Sequence, residues 1–163
     1  MKRLMLMRHA KSSWDQPELP DFDRPLNKRG KRDAPLMARR LRELGEKPDL
    51  ILSSPAERAI RTAMVVAEEF GIPKKKIVEY DDIYLADVEL LLEILRGLDD
   101  SHKRVLLCGH NPGMTNLCNF LADLNIENIP TCAVVCLKIA IASWSEMGQA
   151  SGTLVYFEYP KKN

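Results

Sequence analysis

Long apolar runs are missing from this sequence. No stretch approaches the ~20 consecutive apolar residues that cross a bilayer. The start, Met1-Lys2-Arg3, has the basic character of a secretory leader, but the apolar run behind it ends after Leu4 to Met7, too short for a leader's core. A dominant charge is missing too. The 24 Lys and Arg stand against 23 Asp and Glu, a net of +1, so neither nucleic acid nor a membrane surface is expected as the main partner. Any positive field must be local. Cysteine is sparse: Cys108, Cys118, Cys132 and Cys136 contain no C-x-x-C pair and mostly sit among apolar neighbours. They read as reduced, largely buried thiols of a cytoplasmic protein. Repeats, low-complexity tracts and Gly/Ser-rich linkers are absent, so a single domain over residues 1–163 is expected.

What is present is a series of short apolar runs that end in polar residues. Residues 2–7 read as a strand leading straight into Arg8-His9. Lys11 to Pro25 is a long loop with three prolines and the acids Asp15, Glu18, Asp21 and Asp23, and long loops at strand ends often carry function. Asn27 is placed to cap a helix from near Lys28, in which Ala34, Met37, Ala38, Leu41 and Leu44 recur at helical spacing before Gly45. Asp49 to Leu52 reads as a second strand, with Ser54 as cap and Pro55 as first residue of the next helix, which ends at Gly71. A third strand is expected over 76–80, then a helix through Leu91, Ile94, Leu95 and Leu98. Val105 to Cys108 reads as a fourth strand; Gly109-His110-Asn111-Pro112-Gly113 breaks it and opens a helix to about Leu121. Apolar alternation over 132–142 and 153–159 predicts two last strands, joined by a loop holding Trp144, Gly148 and Gly152. This order predicts an α/β fold: a three-layer α/β/α sandwich around a mostly parallel sheet with an antiparallel part near the C-terminus.

Ligands of open α/β sheets bind at the C-terminal edge of the strands, where the topology switches. Arg8-His9, Arg58 and His110 all follow strands that end on that edge, and so can converge. Two guanidiniums and two imidazoles around one point suit a dianion, because the arginine fork matches phosphate oxygens. The guanidiniums are expected to lower the pKa of His9. One ring nitrogen is then free to attack phosphorus, while the other donates to a nearby acceptor. Attack gives a phosphohistidine that water hydrolyses, with Arg8, Arg58 and His110 holding the equatorial oxygens. Cys108 beside two histidines raises zinc as a reading, but two guanidiniums make a divalent cation unwelcome. No metal and no other cofactor are expected.

These residues also fall in recognisable segments. Arg8-His9-Ala10 resembles the R-H-G signature of the histidine phosphatase (phosphoglycerate mutase-like) superfamily, and Ser12 and Trp14 match its following S-x-W. Pro25-Leu26-Asn27-Lys28-Arg29-Gly30 resembles P-L-T-x-x-G, Ser53 to Ala63 resembles S-S-x-x-x-R-A-x-x-T-A, and Gly109-His110-Asn111 resembles the second G-H. The resemblance covers most of residues 2–115, in order. The short chain and the run Asp21-Phe22-Asp23-Arg24-Pro25-Leu26 are most similar to the SixA-like branch of phosphohistidine phosphatases. The resemblance implies the phosphoglycerate mutase-like fold, His9 as nucleophile, and Arg8, Arg58 and His110 as phosphate ligands. Ala10 replaces a glycine, which implies that no positive φ is needed there; Asn27 replaces a threonine, and both cap helices.

The implied activity is a metal-independent phosphatase acting on a phosphorylated protein, most specifically a protein phosphohistidine, or on a small phosphate ester. A phosphomutase and a non-catalytic phosphate-binding module are the competing readings. Asp82 is chosen as proton donor because the larger relatives supply an acid after the third strand; Asp81, Asp21 and Asp23 stay open. Ser12, Lys11 and Asn111 are candidate substrate-binding residues, with turn stabilisation as the alternative for Ser12 and Asn111. Arg61 is balanced between phosphate contact and a solvent ion pair. The cluster Lys28, Arg29, Lys31, Arg32 and the run Lys74-Lys75-Lys76 read as solvated surface. No motif specifies an oligomeric state.

Overall fold

The computed structural model describes residues 1–162; Asn163, the last residue of the expected domain span, lies outside the described residues. Six strands form one sheet in the order β3-β2-β4-β1-β5-β6. They are β1 (Lys2–Arg8), β2 (Leu50–Ser53), β3 (Ile77–Glu79), β4 (Arg104–Gly109), β5 (Val134–Ile139) and β6 (Gly152–Glu158). The first four are mutually parallel; β5 runs antiparallel to both of its neighbours, β1 and β6. Four helices pack on it: α1 (Lys28–Glu43), α2 (Glu57–Glu69), α3 (Val88–Arg96) and α4 (Gly113–Ala122).

The apolar runs of β1 and β4 are nearly continuous because both faces of these strands are covered. Side chains alternate across a strand. Leu4 and Leu6 of β1, with Val105 and Leu107 of β4, enter the core beneath α3 and α4. Met5 and Met7, with Leu106 and Cys108, enter the core beneath α1 and α2. Burying such side chains is worth about 1.5–3 kcal/mol each, so both runs are pinned in register. Arg8 pairs with Gly109, and Ser53 with Cys108, which sets the ends of three strands side by side.

Two local expectations change. Pro55 does not open α2. Ala56 is still extended (φ −56°, ψ 139°), and the helix starts at Glu57 without a side-chain cap. The Ser54 hydroxyl instead accepts the N–H of Ala56 at 3.2 Å, inside a turn. Trp144 is not mere loop: its ring is fully buried, and its indole N–H donates to the carbonyl of His102 at 2.9 Å. The carbonyl of Asp100 accepts from the buried Lys2 Nζ at 2.7 Å. Among the described residues no helix is long and apolar enough to cross a membrane. All four cysteines are buried and free.

Candidate active site

His9 and His110 follow adjacent strands. The backbone N–H of His9 donates to the carbonyl of Gly109 at 3.1 Å, which carries the β1–β4 pairing one residue past the strand. The ring centroids end up 5.2 Å apart. Arg58 arrives from the first turn of α2, and its Nε donates to His9 Nε2 at 3.4 Å. Thr62, one turn on, fixes this arrangement. Its hydroxyl donates to the carbonyl of Arg58 at 2.7 Å and accepts the N–H of Ala10 at 3.0 Å. The chain after His9 is thereby fastened to the helix that carries Arg58. Ala10 is not among the residues with positive φ, so the place of the family's glycine asks for no left-handed backbone.

The protonation of His9 follows from its partners. Nδ1 lies 2.7 Å from the carbonyl oxygen of Ala10, which only accepts, so Nδ1 carries the hydrogen. Nε2 receives the Arg58 N–H and is therefore bare. Burial, more than the guanidiniums, pushes the His9 pKa down, to about 4; the charges of Arg58 and Arg8 act in the same direction, and the bond to Ala10 opposes them. His110 is pushed down to about 3, first by burial, then by His9 and Arg58. Both rings are neutral at neutral pH. The guanidiniums lower the pKa of His9 as expected, and desolvation, which no sequence motif states, is the larger cause.

Two buried nitrogens here lack partners. Among the described residues, Arg8 Nε and His110 Nδ1 are buried without a hydrogen-bond partner. Arg8 spends one terminal nitrogen on the carbonyl of Ile129 at 2.9 Å. Burial and the nearby charge of Arg58 lower its pKa, so two like charges are held together in a partly dry site. That arrangement is unfavourable by itself and favourable around an anion.

A recess of about 200 Å³ opens here, lined by Arg8, His9, Lys11, Ser12, Trp14, Asp21, Arg58 and Thr131. Asn27 caps α1 by accepting the N–H of Gly30 at 2.8 Å, and its own N–H donates to the carbonyl of Lys11 at 3.0 Å. A Cβ on Gly30 would stand 2.2 Å from that same carbonyl oxygen, so the glycine lets α1 approach the loop that carries Lys11 and Ser12. Thr131 also lines the recess, from the segment 129–132, which no sequence signal marked. Cys132 has a left-handed backbone (φ 66°) and directs its N–H at the carbonyls of both Arg8 and His9, each at 3.0 Å.

The family model described as histidine phosphatase superfamily (branch 1) matches residues 4–94, more than half of the chain. The chain belongs to the histidine phosphatase superfamily. An uncharacterised chloroplastic protein of Arabidopsis thaliana is 34% identical over 93% of this chain and 72% of its own length. A solved structure from Agrobacterium tumefaciens, ascribed to a phosphohistidine phosphatase SixA, is 32% identical, covers 98% of both chains and superposes with a TM-score of 0.81. The protein histidine phosphatase SixA complexed with tungstate shares the fold, with a TM-score of 0.82 over 97% of each chain at 24% identity. Family membership and the SixA likeness support a phosphatase.

Against this histidine phosphatase background, the remaining expected residues divide. Asp82 does not line the recess: it is exposed on the short 3₁₀ turn Asp81–Ile83 and, among the described residues, its side chain finds no hydrogen-bond partner. Its neighbour Tyr84 reaches inward instead. The carboxylate at the site is Asp21. It accepts from Arg58 Nη2 at 2.9 Å and from the Tyr84 hydroxyl at 2.6 Å. Burial alone would raise its pKa, but the bonds from Tyr84 and Arg58 and the charges of Arg58 and Arg24 outweigh it and hold the group below the usual range. Asp21 is therefore an ion pair partner rather than a ready acid.

Asn111 is also corrected. Its NH₂ donates to Asn128 and to the carbonyl of Ile129, each at 3.0 Å, and its oxygen accepts from the N–H and hydroxyl of Thr115. A saturated amide has nothing left for a ligand; it braces the segment that holds Arg8. Arg61 pairs with Glu57 at 2.8 Å on the exposed face of α2, as a solvent ion pair does. Cys108 is fully buried in β4, which pushes its thiol up to about 12 and leaves it inert. Arg24 escaped notice in the sequence. It is buried, and its guanidinium carbon lies 3.4 Å from the centroid of the exposed Trp14 ring. An aspartate-rich run with one arginine gives no sign of such stacking.

Proposed function

We propose that this protein is a metal-independent protein phosphohistidine phosphatase that works through a phosphoryl group carried on His9. The observation that carries the reading is the neutral His9 ring, with Nδ1 committed to Ala10 and a bare Nε2 beside Arg58 and the unpartnered Nε of Arg8. His9 Nε2 attacks phosphorus, and the bond from phosphorus to the substrate's nitrogen breaks. The leaving imidazole takes a proton from water. Water then attacks the phosphoryl group on His9, the P–Nε2 bond breaks, and orthophosphate and the neutral ring are restored. Arg8, Arg58 and His110 hold the oxygens through both steps.

Two features support a phosphohistidine rather than an alkyl phosphate. The carboxylate at the recess is ionised, and the Tyr84 hydroxyl is spent on it, so the recess offers no neutral acid to an alkoxide leaving group. An imidazole leaves as a neutral base once solvent protonates it. The recess of about 200 Å³ is also smaller than the roughly 300–1,000 Å³ that encloses a small organic ligand. It suits a phosphoryl group whose carrier stays outside, on a protein surface, and leaves little room for the second phosphate of a mutase's bisphosphate. Lys11, Ser12 and Trp14 form the lip that such a carrier meets.

The test is a panel of phosphohistidine proteins, phosphoserine peptides, phosphoglycerates and an aryl phosphate, assayed in chelator. We expect kcat/KM to be about 10² or more higher on phosphohistidine than on phosphoserine, a gap of the size general acid catalysis supplies. His9→Ala removes turnover and keeps orthophosphate binding. Equal rates on alkyl and histidine phosphates, or full activity of His9→Ala, would overturn the reading.

A further inference from the structure

Ser54 follows β2 and is fully buried. Its hydroxyl oxygen accepts the N–H of Ala56 at 3.2 Å and lies 2.7 Å from His110 Nε2. A hydroxyl has one hydrogen to give. Among the described residues, His110 Nε2 is the one acceptor within hydrogen-bond distance of it. The hydrogen is therefore used only if Nε2 of His110 is bare. A neutral imidazole with a bare Nε2 carries its hydrogen on Nδ1, and Nδ1 is the buried nitrogen without a partner.

Resting on the phosphoryl-transfer reading of this site, we propose that Ser54 is a positioning residue that holds His110 in its Nδ1–H form, so that His110 donates to a phosphoryl oxygen. The two histidines then carry the same tautomer for opposite ends. His9 gives its Nδ1–H to Ala10 and keeps a bare Nε2 for attack. His110 uses its bare Nε2 to accept from Ser54 and keeps Nδ1–H for the anion. The reverse tautomer would turn a lone pair, not a donor, toward a dianion, and the unpaired Ser54 hydrogen would be buried as well. In this account the serine before the proline in Ser53-Ser54-Pro55 is there for its hydrogen, not to cap α2.

The experiment uses the whole chain with ¹⁵N-labelled histidine. The chain holds only three histidines, so assignment is direct. Two-bond ¹H–¹⁵N correlations at pH 7 should show His110 with an unprotonated Nε2 and a protonated Nδ1, and orthophosphate should shift the Nδ1 proton downfield. Ser54→Ala should give a tautomer mixture, weaken orthophosphate about tenfold, and lower kcat on an aryl phosphate about 10–10²-fold. Ser54→Thr keeps a hydroxyl and should restore the Nδ1–H signature, which separates this role from the turn at Ala56. An Nε2–H tautomer in the parent protein would overturn the proposal. So would a Ser54→Ala protein that retains both the tautomer and the affinity. These readouts need no turnover. A protein that shows the tautomer and the phosphate shift but hydrolyses nothing would defeat the phosphatase reading and leave the role of Ser54 standing.

Discussion

Arg58 and Asp21 hold each other twice: Nη1 donates to the Asp21 carbonyl at 2.6 Å, and Nη2 to its carboxylate at 2.9 Å. The guanidinium of α2 is thus engaged by the loop between β1 and α1. If Arg58 holds phosphate as proposed above, the Asp21 carboxylate competes with a substrate oxygen for it.

Asp21→Asn keeps an acceptor for Tyr84 and removes the charge that competes for Arg58. Orthophosphate is expected to bind several-fold tighter by calorimetry, at a stability cost under about 1 kcal/mol, since Asp21 is well exposed. Weaker binding would mean that Asp21 orients Arg58 for the ligand instead of competing with it.

The two depressed histidines make stability depend on pH. In the unfolded chain they take up protons near pH 6.5; in the folded one His9 does so only near 4 and His110 near 3. Between those limits the unfolded state binds more protons, so stability is full above about pH 6.5 and falls as the pH drops. By pH 5 the loss is roughly 2 kcal/mol per histidine, at about 1.4 kcal/mol for each factor of ten in proton affinity. Chemical denaturation at pH 7 and pH 5 measures it, and NMR titration locates the two midpoints. Midpoints near 6.5 would contradict the burial argument.

Gly30→Ala places a methyl group 2.2 Å from the carbonyl oxygen of Lys11, where neither backbone can yield cheaply. The expected loss is about 1–3 kcal/mol, the usual range for overpacking. Because the displaced strand of loop carries Lys11 and Ser12, kcat/KM should fall as well. A thermal melt unchanged from the parent protein would show that α1 and the loop separate freely.

Trp14→Ala removes an exposed ring that Arg24 holds at the rim of the recess. Orthophosphate binding should be unchanged, while KM for a phosphohistidine protein rises about two- to fivefold, the modest effect of losing one contact at the rim of an interface. A change in orthophosphate affinity instead would place the ring on the phosphate itself.

The elements were legible where local rules decide them. The period-2 and period-3.6 apolar patterns place every strand and helix to within a few residues, and the apolar runs of β1 and β4 announce a sheet covered on both faces. The start of α2 is not legible in the sequence, because a Ser-Pro pair looks like a helix cap whether its hydroxyl serves the backbone or His110. The family segments marked Arg8, His9, Arg58 and His110, and the structure brings them to one edge. Asp82 was chosen by its place after the third strand, and chain order gave no sign that its neighbour Tyr84 turns inward.

The sequence alone therefore determined the α/β order, the parallel core and the cationic, imidazole-bearing strand ends, since these depend on periodicity and on residues adjacent in the chain. Only the tertiary structure decided which nitrogen of His9 is bare, which acid meets Arg58, and that the segment from Ile129 to Cys132 braces Arg8 and His9. Those outcomes rest on hydrogen-bond partners and burial supplied from residues up to 121 positions apart, as in the Arg8 to Ile129 contact, and no local pattern carries that information.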